Sequence, residues 1–300
     1  MDNNTTFKSG FVSIVGMPNV GKSSLLNAIV GQKIAIISDK PQTTRNKILA
    51  IYTNDDEQII FTDTPGIHKP HNKLGEFMVN EANRSIDDTD IIIFMVDATR
   101  SIQEMERKIV KKLSDQDIPC ILVINKIDLI QKEKLLPLIA NYSSLMNFSG
   151  VVPLSAKKKD GIELLLNDIR EFLNPGPKFY YDDMVTDQPE KQIAAEIIRE
   201  KLLWLLDKEI PHGIAIEIEK MQEKKNITSI SAVIYCEKPS HKGIIIGKNG
   251  DMLKKIGSMA RSDIEKMLDK KVFLELWVRV KSDWRNSNYL MKSFGFSKEE

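Results

Sequence analysis

Eight consecutive residues, Gly16, Met17, Pro18, Asn19, Val20, Gly21, Lys22 and Ser23, have the spacing GxxxxGKS between a short apolar run and an amphipathic stretch. Glycines at both ends let the backbone N–H groups of such a loop curl around phosphate oxygens. A helix starting near Lys22 turns its positive end toward the same oxygens. Lys22 is then long enough to reach the β- and γ-phosphates of a nucleotide, while the Ser23 hydroxyl, with Ser24 beside it, is suited to ligate Mg2+. The strand–loop–helix context separates this spacing from a chance glycine-rich turn.

Three further elements follow in order, each after an apolar run. Asp63-Thr64-Pro65-Gly66 is a DxxG element, which brings a carboxylate to the Mg2+ shell and the Gly66 N–H to the γ-phosphate. Asn125-Lys126-Ile127-Asp128 offers the Asp128 carboxylate to the N1–H and N2–H2 edge of guanine. Adenine has no such pair of donors and would leave a buried carboxylate unsatisfied. Ser155-Ala156-Lys157 is expected to set a backbone N–H on guanine O6. Any one of these is an ordinary turn; four in this order on successive strand ends predict GTP and GDP as ligands.

Charge is unevenly spread. The 43 basic and 42 acidic side chains give +1 overall, yet residues 238–292 hold 13 basic against 6 acidic, a segment able to meet a polyanion. Within it lies Gly247-Lys248-Asn249-Gly250, a GxxG turn whose backbone can approach a phosphodiester closely. Lys248 supplies charge, and Lys242, Lys254, Lys255 and Arg261 extend a basic track. A lone GxxG is most often a plain helix–helix turn. Here Ile244-Ile245-Ile246 precedes it and Lys254-Lys255-Ile256-Gly257 follows, inside an α-β-β-α-α-β order.

Loops of this kind must be held by strands. Apolar runs recur at Phe11–Val15, Lys47–Tyr52, Gln58–Thr62, Asp90–Val96, Cys120–Asn125 and Val151–Leu154, and several are apolar on successive residues, as strands covered on both faces must be. Amphipathic stretches at Ser23–Val30, Leu74–Ile86, Met105–Ser114 and Ile162–Leu173 alternate with them, predicting a mostly parallel, doubly wound sheet with its ligand loops at the carboxyl ends of the strands. Residues 174–190, with three prolines and four acidic side chains, break the rhythm and read as a linker. Beyond them a helix over Lys191–Lys208, strands near Ile214–Lys220 and Ile227–Cys236, helical segments over Gly250–Leu268 and a strand at Val272–Val280 predict a smaller α+β domain with one solvated sheet face.

The set GMPNVGKS, DTPG, NKID and SAK, together with Pro41-Gln42-Thr43-Thr44-Arg45 between the first helix and second strand, resembles the Era family of GTPases. The half that carries the GxxG turn resembles a type II KH domain, and that pairing is the family's own. The resemblance covers nearly the whole chain. It implies an α/β doubly wound P-loop GTPase domain over 1–176, a linker over 177–189 and a smaller α+β type II KH-like domain over 190–300. Pro41–Arg45 would be the first switch and Asp63–Pro70 the second, ordered by GTP and released on hydrolysis. The family places a switch threonine on Mg2+; Thr44 is preferred over Thr43, although spacing does not decide between them. Lys22, Thr44 and Gly66 would then serve hydrolysis, with Ser23, Thr44 and Asp63 around the metal. Ile67 stands where better-known switch GTPases put a water-orienting glutamine, so intrinsic hydrolysis is expected to be slow. Asn19 resembles the asparagine that related GTPases use to hold K+, and K+-stimulated hydrolysis is expected; otherwise Asn19 only shapes its loop. His68 and His71 read as bystanders. Family resemblance also implies the RNA, the 3′ end of 16S rRNA during assembly of the small ribosomal subunit, and a peripheral contact with the inner face of the membrane.

Composition removes other classes. Two cysteines, Cys120 and Cys236, make no disulfide framework and no metal spacing, and sit in apolar runs as small core residues. No apolar run approaches the roughly 20 residues of a membrane span, and the N-terminus lacks a secretory pattern, so a cytoplasmic protein is expected. Trp204 and Trp277 are expected to pack; Trp284 and Tyr289 are core or surface rather than base-stacking residues. The rival readings are a signalling GTPase whose C-terminal domain binds a protein or membrane partner, and a GTPase of RNA modification, against which stands the absence of a further cofactor motif. A nucleotide kinase is disfavoured because DTPG and NKID belong to a switch.

Overall fold

The computed structural model describes residues 6–40, 42–66, 70, 72–87 and 89–296. These divide into two compact units, one within Met1–Ala35, Thr44–His68 and Met78–Asp187, the other within Ile36–Thr43, Lys69–Phe77 and Gln188–Glu300.

The first unit is built on a seven-stranded sheet, in the order β2-β3-β1-β4-β5-β6 with the short β7 beside β1. Its strands are β1 (Lys8–Gly16), β2 (Ile48–Thr53), β3 (Glu57–Asp63), β4 (Ile91–Asp97), β5 (Cys120–Asn125), β6 (Gly150–Pro153) and β7 (Asn174–Pro175). All pairs are parallel except β2 with β3 and β7 with β1. Every residue of IIIFMVD in β4 and of CILVIN in β5 is buried, because helices cover both faces. The helices are α1 (Lys22–Val30), α2 (Lys73–Asp87, of which the part from Met78 onward belongs to this unit), α3 (Glu104–Ser114), α4 (Leu135–Ser143) and α5 (Ile162–Phe172). Leu25, Leu26 and Ile29 of α1 join Leu165, Leu166 and Ile169 of α5 on one face; Ile109, Val110 and Leu113 of α3 pack on the other with Tyr142 of α4. Each such burial contributes about 1.5–3 kcal/mol before the chain's entropy is set against it.

Residues 174–187 are more than a tether. The Gln58 Oε1 accepts from the N–H groups of Phe179 (2.7 Å) and Tyr180 (3.0 Å), Ile51 N–H donates to Val185 O (2.9 Å), and the Phe179 ring tilts against Phe11. A proline-rich segment cannot supply a regular ladder, but single backbone groups still find partners on β2 and β3.

The second unit carries α6 (Glu190–Leu205), β8 (Ala215–Glu223), β9 (Ile227–Cys236), α7 (Pro239–Ile246), α8 (Asp251–Leu268), β10 (Lys271–Val280) and α9 (Asn288–Ser293). Its sheet runs β10-β9-β8, parallel between β9 and β10, antiparallel between β8 and β9. Ile197 and Ile198 of α6, Ile256, Ala260 and Ile264 of α8, and Ile230, Ala232 and Ile234 of β9 form the core. The opposite face of β10 is solvated, as the alternation predicts, but it carries Trp277 at 58% exposure and Phe273 at 53%. Trp277 therefore does not pack as expected. Trp284 is fully buried with its Nε1 donating to Gly213 O (2.9 Å), whereas Tyr289 is exposed.

Ile36–Thr43 completes this unit along α6. Ile37 N–H donates to Glu200 Oε1 (2.9 Å), Trp204 Nε1 donates to Ile37 O (2.9 Å), Arg199 donates to Thr43 O and Lys40 to Leu206 O. Trp204, expected as core, is instead half-exposed and holds this stretch, with Lys201 Nζ 3.9 Å from its ring centroid. Glu200 and Lys201 are buried together, and Lys201 also reaches Asp263 of α8.

Candidate nucleotide site and nucleic-acid interface

The nucleotide-site candidates lie at the carboxyl ends of β1, β3, β5 and β6. β1 ends at Gly16, and the loop to Lys22 turns through Asn19 (φ 66°) and Gly21 (φ 108°), both left-handed. A Cβ on Gly21 would stand 2.2 Å from Asn125 Nδ2, so this glycine serves both its backbone angle and a close neighbour. Lys22 is buried at the head of α1 and its Nζ donates to Gly16 O (3.3 Å) and Met17 O (3.2 Å), inside the loop it is expected to serve.

Ser23, Thr44 and Asp63 converge. Ser23 Oγ donates to Asp63 Oδ2 (2.6 Å) and lies 3.0 Å from Thr44 Oγ1, which also donates to Asp63 Oδ2 (3.3 Å). Thr43 points elsewhere, its Oγ1 donating to Lys40 O (2.6 Å), so geometry separates the two threonines that spacing left open. Burial pushes the Asp63 carboxyl up, against the opposing pull of Lys22 and of the Ser23 and Thr44 hydrogen bonds; burial likewise lowers Lys22, with Asp63 opposing. Asp63 Oδ1 is buried with no hydrogen-bond partner among the described residues. One carboxylate with an unpartnered oxygen and two hydroxyls form an all-oxygen donor set that fits a hard divalent cation sharing phosphate oxygens. Among the described residues no group of three His, Cys, Asp or Glu side chains could hold a metal. Thr64 Oγ1 donates to Ile14 O (3.1 Å), and a Cβ on Gly66 would stand 2.8 Å from Pro18 Cγ, so the DTPG turn lies directly on the phosphate loop. Pro41, Ile67, His68 and His71 lie outside the described residues.

Asn125 joins three loops. Its Nδ2 donates to Val20 O (2.7 Å) and its Oδ1 accepts from Ala156 N–H (3.0 Å). One backbone N–H of the Ser155–Lys157 turn, from which a donor to guanine O6 is expected, is thus spent on Asn125 in this structure. Ser155 Oγ donates to Asp128 Oδ1 (2.7 Å) and orients the carboxylate expected to meet guanine. Lys126 Nζ donates to Asn19 O (2.8 Å) and to Asp97 Oδ2 (2.6 Å). Lys157 is exposed beside this loop. Asp97 was not among the sequence candidates; its only signal is an acid ending the run IIIFMV.

In the second unit Gly247, Lys248, Asn249 and Gly250 make the turn between α7 and α8, with Gly247 at φ 75°, ψ 177°, Asn249 at φ 53° and Gly250 at φ 82°. A groove of about 470 Å³ runs from Gly250 along Leu253, Lys254, Ser258 and Arg261 of α8 to Leu274 and Leu276 of β10. Lys254 and Arg261 thus share the groove, while Lys242, Lys248 and Lys255 are exposed outside its lining. The leucines of β10 were missed because their alternation reads equally well as core.

Comparison with known proteins agrees with both halves. A family profile described as a 50S ribosome-binding GTPase matches residues 11–126, and a KH domain profile matches 209–285. GTPase Era of Ruminiclostridium cellulolyticum is 55% identical over 97% of this chain and 98% of its own length. GTPase Era of Clostridioides difficile is 54% identical over 97% and 99%. Among solved structures, an Era variant of Aquifex aeolicus bound to GDP and AlF4− has a TM-score of 0.94 at 39% identity, covering 97% of this chain and 100% of that one. Era in complex with MgGDPNP and nucleotides 1506–1542 of 16S ribosomal RNA has a TM-score of 0.93 at 40% identity, with the same coverage.

Proposed function

The chain belongs to the Era family of GTPases, and from that premise we propose that its GTP cycle serves the binding of the 3′ end of 16S rRNA and the maturation and assembly of the small ribosomal subunit in the cytoplasm. The observation that carries this reading is the full-length likeness to an Era structure that holds both MgGDPNP and a 16S segment. In this chain Ser23, Thr44 and Asp63 hold Mg2+, and Lys22 binds the β- and γ-phosphates. Gly66 meets the γ-phosphate, and Asn125, Lys126, Asp128 and the Ser155–Lys157 turn enclose guanine. Mg2+, when bound, neutralises charge that develops on the transferring phosphoryl group. Asn19 holds K+ beside the phosphates; equal hydrolysis rates in Na+ and K+ would remove that assignment.

Single-stranded RNA lies along the Gly250–Arg261 groove, clamped by the GxxG turn and tracked by the surrounding lysines. The test is GTP hydrolysis with and without an oligonucleotide of the 16S 3′ end, beside a variant carrying Lys248→Asp and Asn249→Asp. Stimulation that vanishes in the variant is the expected result. No binding and no stimulation would leave a GTPase whose C-terminal domain serves a protein or membrane partner.

A further inference from the structure

We propose that Asp97 is a positioning residue for nucleotide binding: it fixes Lys126 so that the guanine loop and the phosphate loop close on one ligand. The inference rests on the nucleotide-site reading above and adds a residue to it.

The argument begins with strand register. β4 and β5 are parallel with Asp97 aligned to Asn125, and Ala98 N–H donates to Asn125 O (2.9 Å). Lys126, the first residue after β5, therefore emerges beside the Asp97 carboxylate. Lys126 takes a left-handed turn (φ 67°) and its ammonium group spans two acceptors, Asp97 Oδ2 at 2.6 Å and Asn19 O at 2.8 Å. Asn19 is itself left-handed in the phosphate loop, so the bridge joins two backbone turns that each cost energy to hold.

The carboxylate is built to stay in place. Asp97 is 2% exposed, and its other oxygen accepts from Thr99 N–H (2.9 Å) and Thr99 Oγ1 (2.6 Å). Arg100 Nε stands 3.5 Å from Oδ2, a second cation on the exposed side. Burial pushes the Asp97 carboxyl up, but Lys126 and the two Thr99 donors outweigh it and the net shift is downward, keeping the group ionised. Asn125 forms a neutral bridge to Val20 O and Lys126 a charged one to Asn19 O. Only the charged bridge depends on a residue outside the known motifs. A lysine free of Asp97 would meet the Asn19 carbonyl only part of the time; held at Asp97 it keeps its own guanine loop on the phosphate loop, and ordering entropy is met in folding rather than on binding.

The experiment is a double-mutant cycle on the full chain, read by fluorescent GDP and GTP binding and by steady-state hydrolysis. Asp97→Asn keeps shape and removes the charge. It is expected to raise Kd for GDP and GTP alike by about tenfold, placing the loss in KM rather than in kcat, with guanine-over-adenine preference kept. In a Lys126→Met background the same change is expected to alter Kd less than twofold, because the partner through which Asp97 acts is gone. Thr99→Val, which removes one donor to the carboxylate, should raise Kd in the same direction by a smaller factor, and gives the reading if Asp97→Asn does not fold. An unchanged Kd in Asp97→Asn, or a full effect that persists without the Lys126 ammonium, overturns the inference while wild-type binding leaves the site intact. Failure of the wild-type chain to bind GDP would overturn the site itself.

Discussion

In the function proposed above, specificity for guanine turns on one carboxylate held by one hydroxyl. Asp128 is oriented by Ser155, and replacing it with asparagine exchanges an acceptor pair for an acceptor and a donor. Asp128→Asn should lower GTP affinity by about 10²-fold or more and raise affinity for xanthosine triphosphate, whose C2 carbonyl accepts from the asparagine NH2 at the place where guanine has a donor amino group. Competition binding with the two nucleotides decides it; unchanged preference would remove Asp128 from the site. Cysteine chemistry is settled at the same scale. Burial pushes the Cys120 thiol up to about 12, so at pH 8 its thiolate is scarce. Iodoacetamide should leave Cys120 unmodified in the native chain and label it in denaturant, as read by mass spectrometry; rapid native labelling would contradict the burial.

At the scale of elements, the GxxG turn puts two glycines under different constraints. Gly247 has a φ, ψ pair that only glycine adopts, and a Cβ there would stand 2.7 Å from Met252 Cβ; Gly250 is left-handed with open space around it. Gly247→Ala should destabilise the second unit by about 3 kcal/mol and Gly250→Ala by about 1 kcal/mol, measured by urea unfolding. Equal costs would show that the turn relaxes. Which elements were legible in the sequence follows the same physics. β4 and β5 were plain because both faces are covered and every residue but the last of each is apolar. α4 went unseen because Pro137 lies inside LLPLIANYS and its apolar residues follow no clean stripe. The phosphate-loop, DTPG and NKID residues were legible because their chemistry fixes their spacing. Asp97, Leu274 and Leu276 were not, since each joins its site through strand register, and pairing between distant strands leaves no local mark.

For the whole molecule, the two units are not two consecutive stretches of chain. Ile36–Thr43 belongs to the unit otherwise formed by Gln188–Glu300, where Arg199 and Glu200 bond its backbone. A fragment of residues 188–300 would leave these buried charged groups short of their partners, at about 1–3 kcal/mol for each group left unsatisfied. Its melting temperature should fall several degrees below that of the same unit within the full chain, and adding a peptide of residues 36–43 should recover part of the difference. Identical melting would show that the segment contributes nothing. The interleaving also has a temporal side. Translation proceeds at about 5–20 residues per second, so on the order of ten seconds pass between the synthesis of Thr43 and that of α6. During that interval the nascent chain carries a phosphate loop and a guanine loop, while the stretch between α1 and β2 awaits a docking surface not yet made.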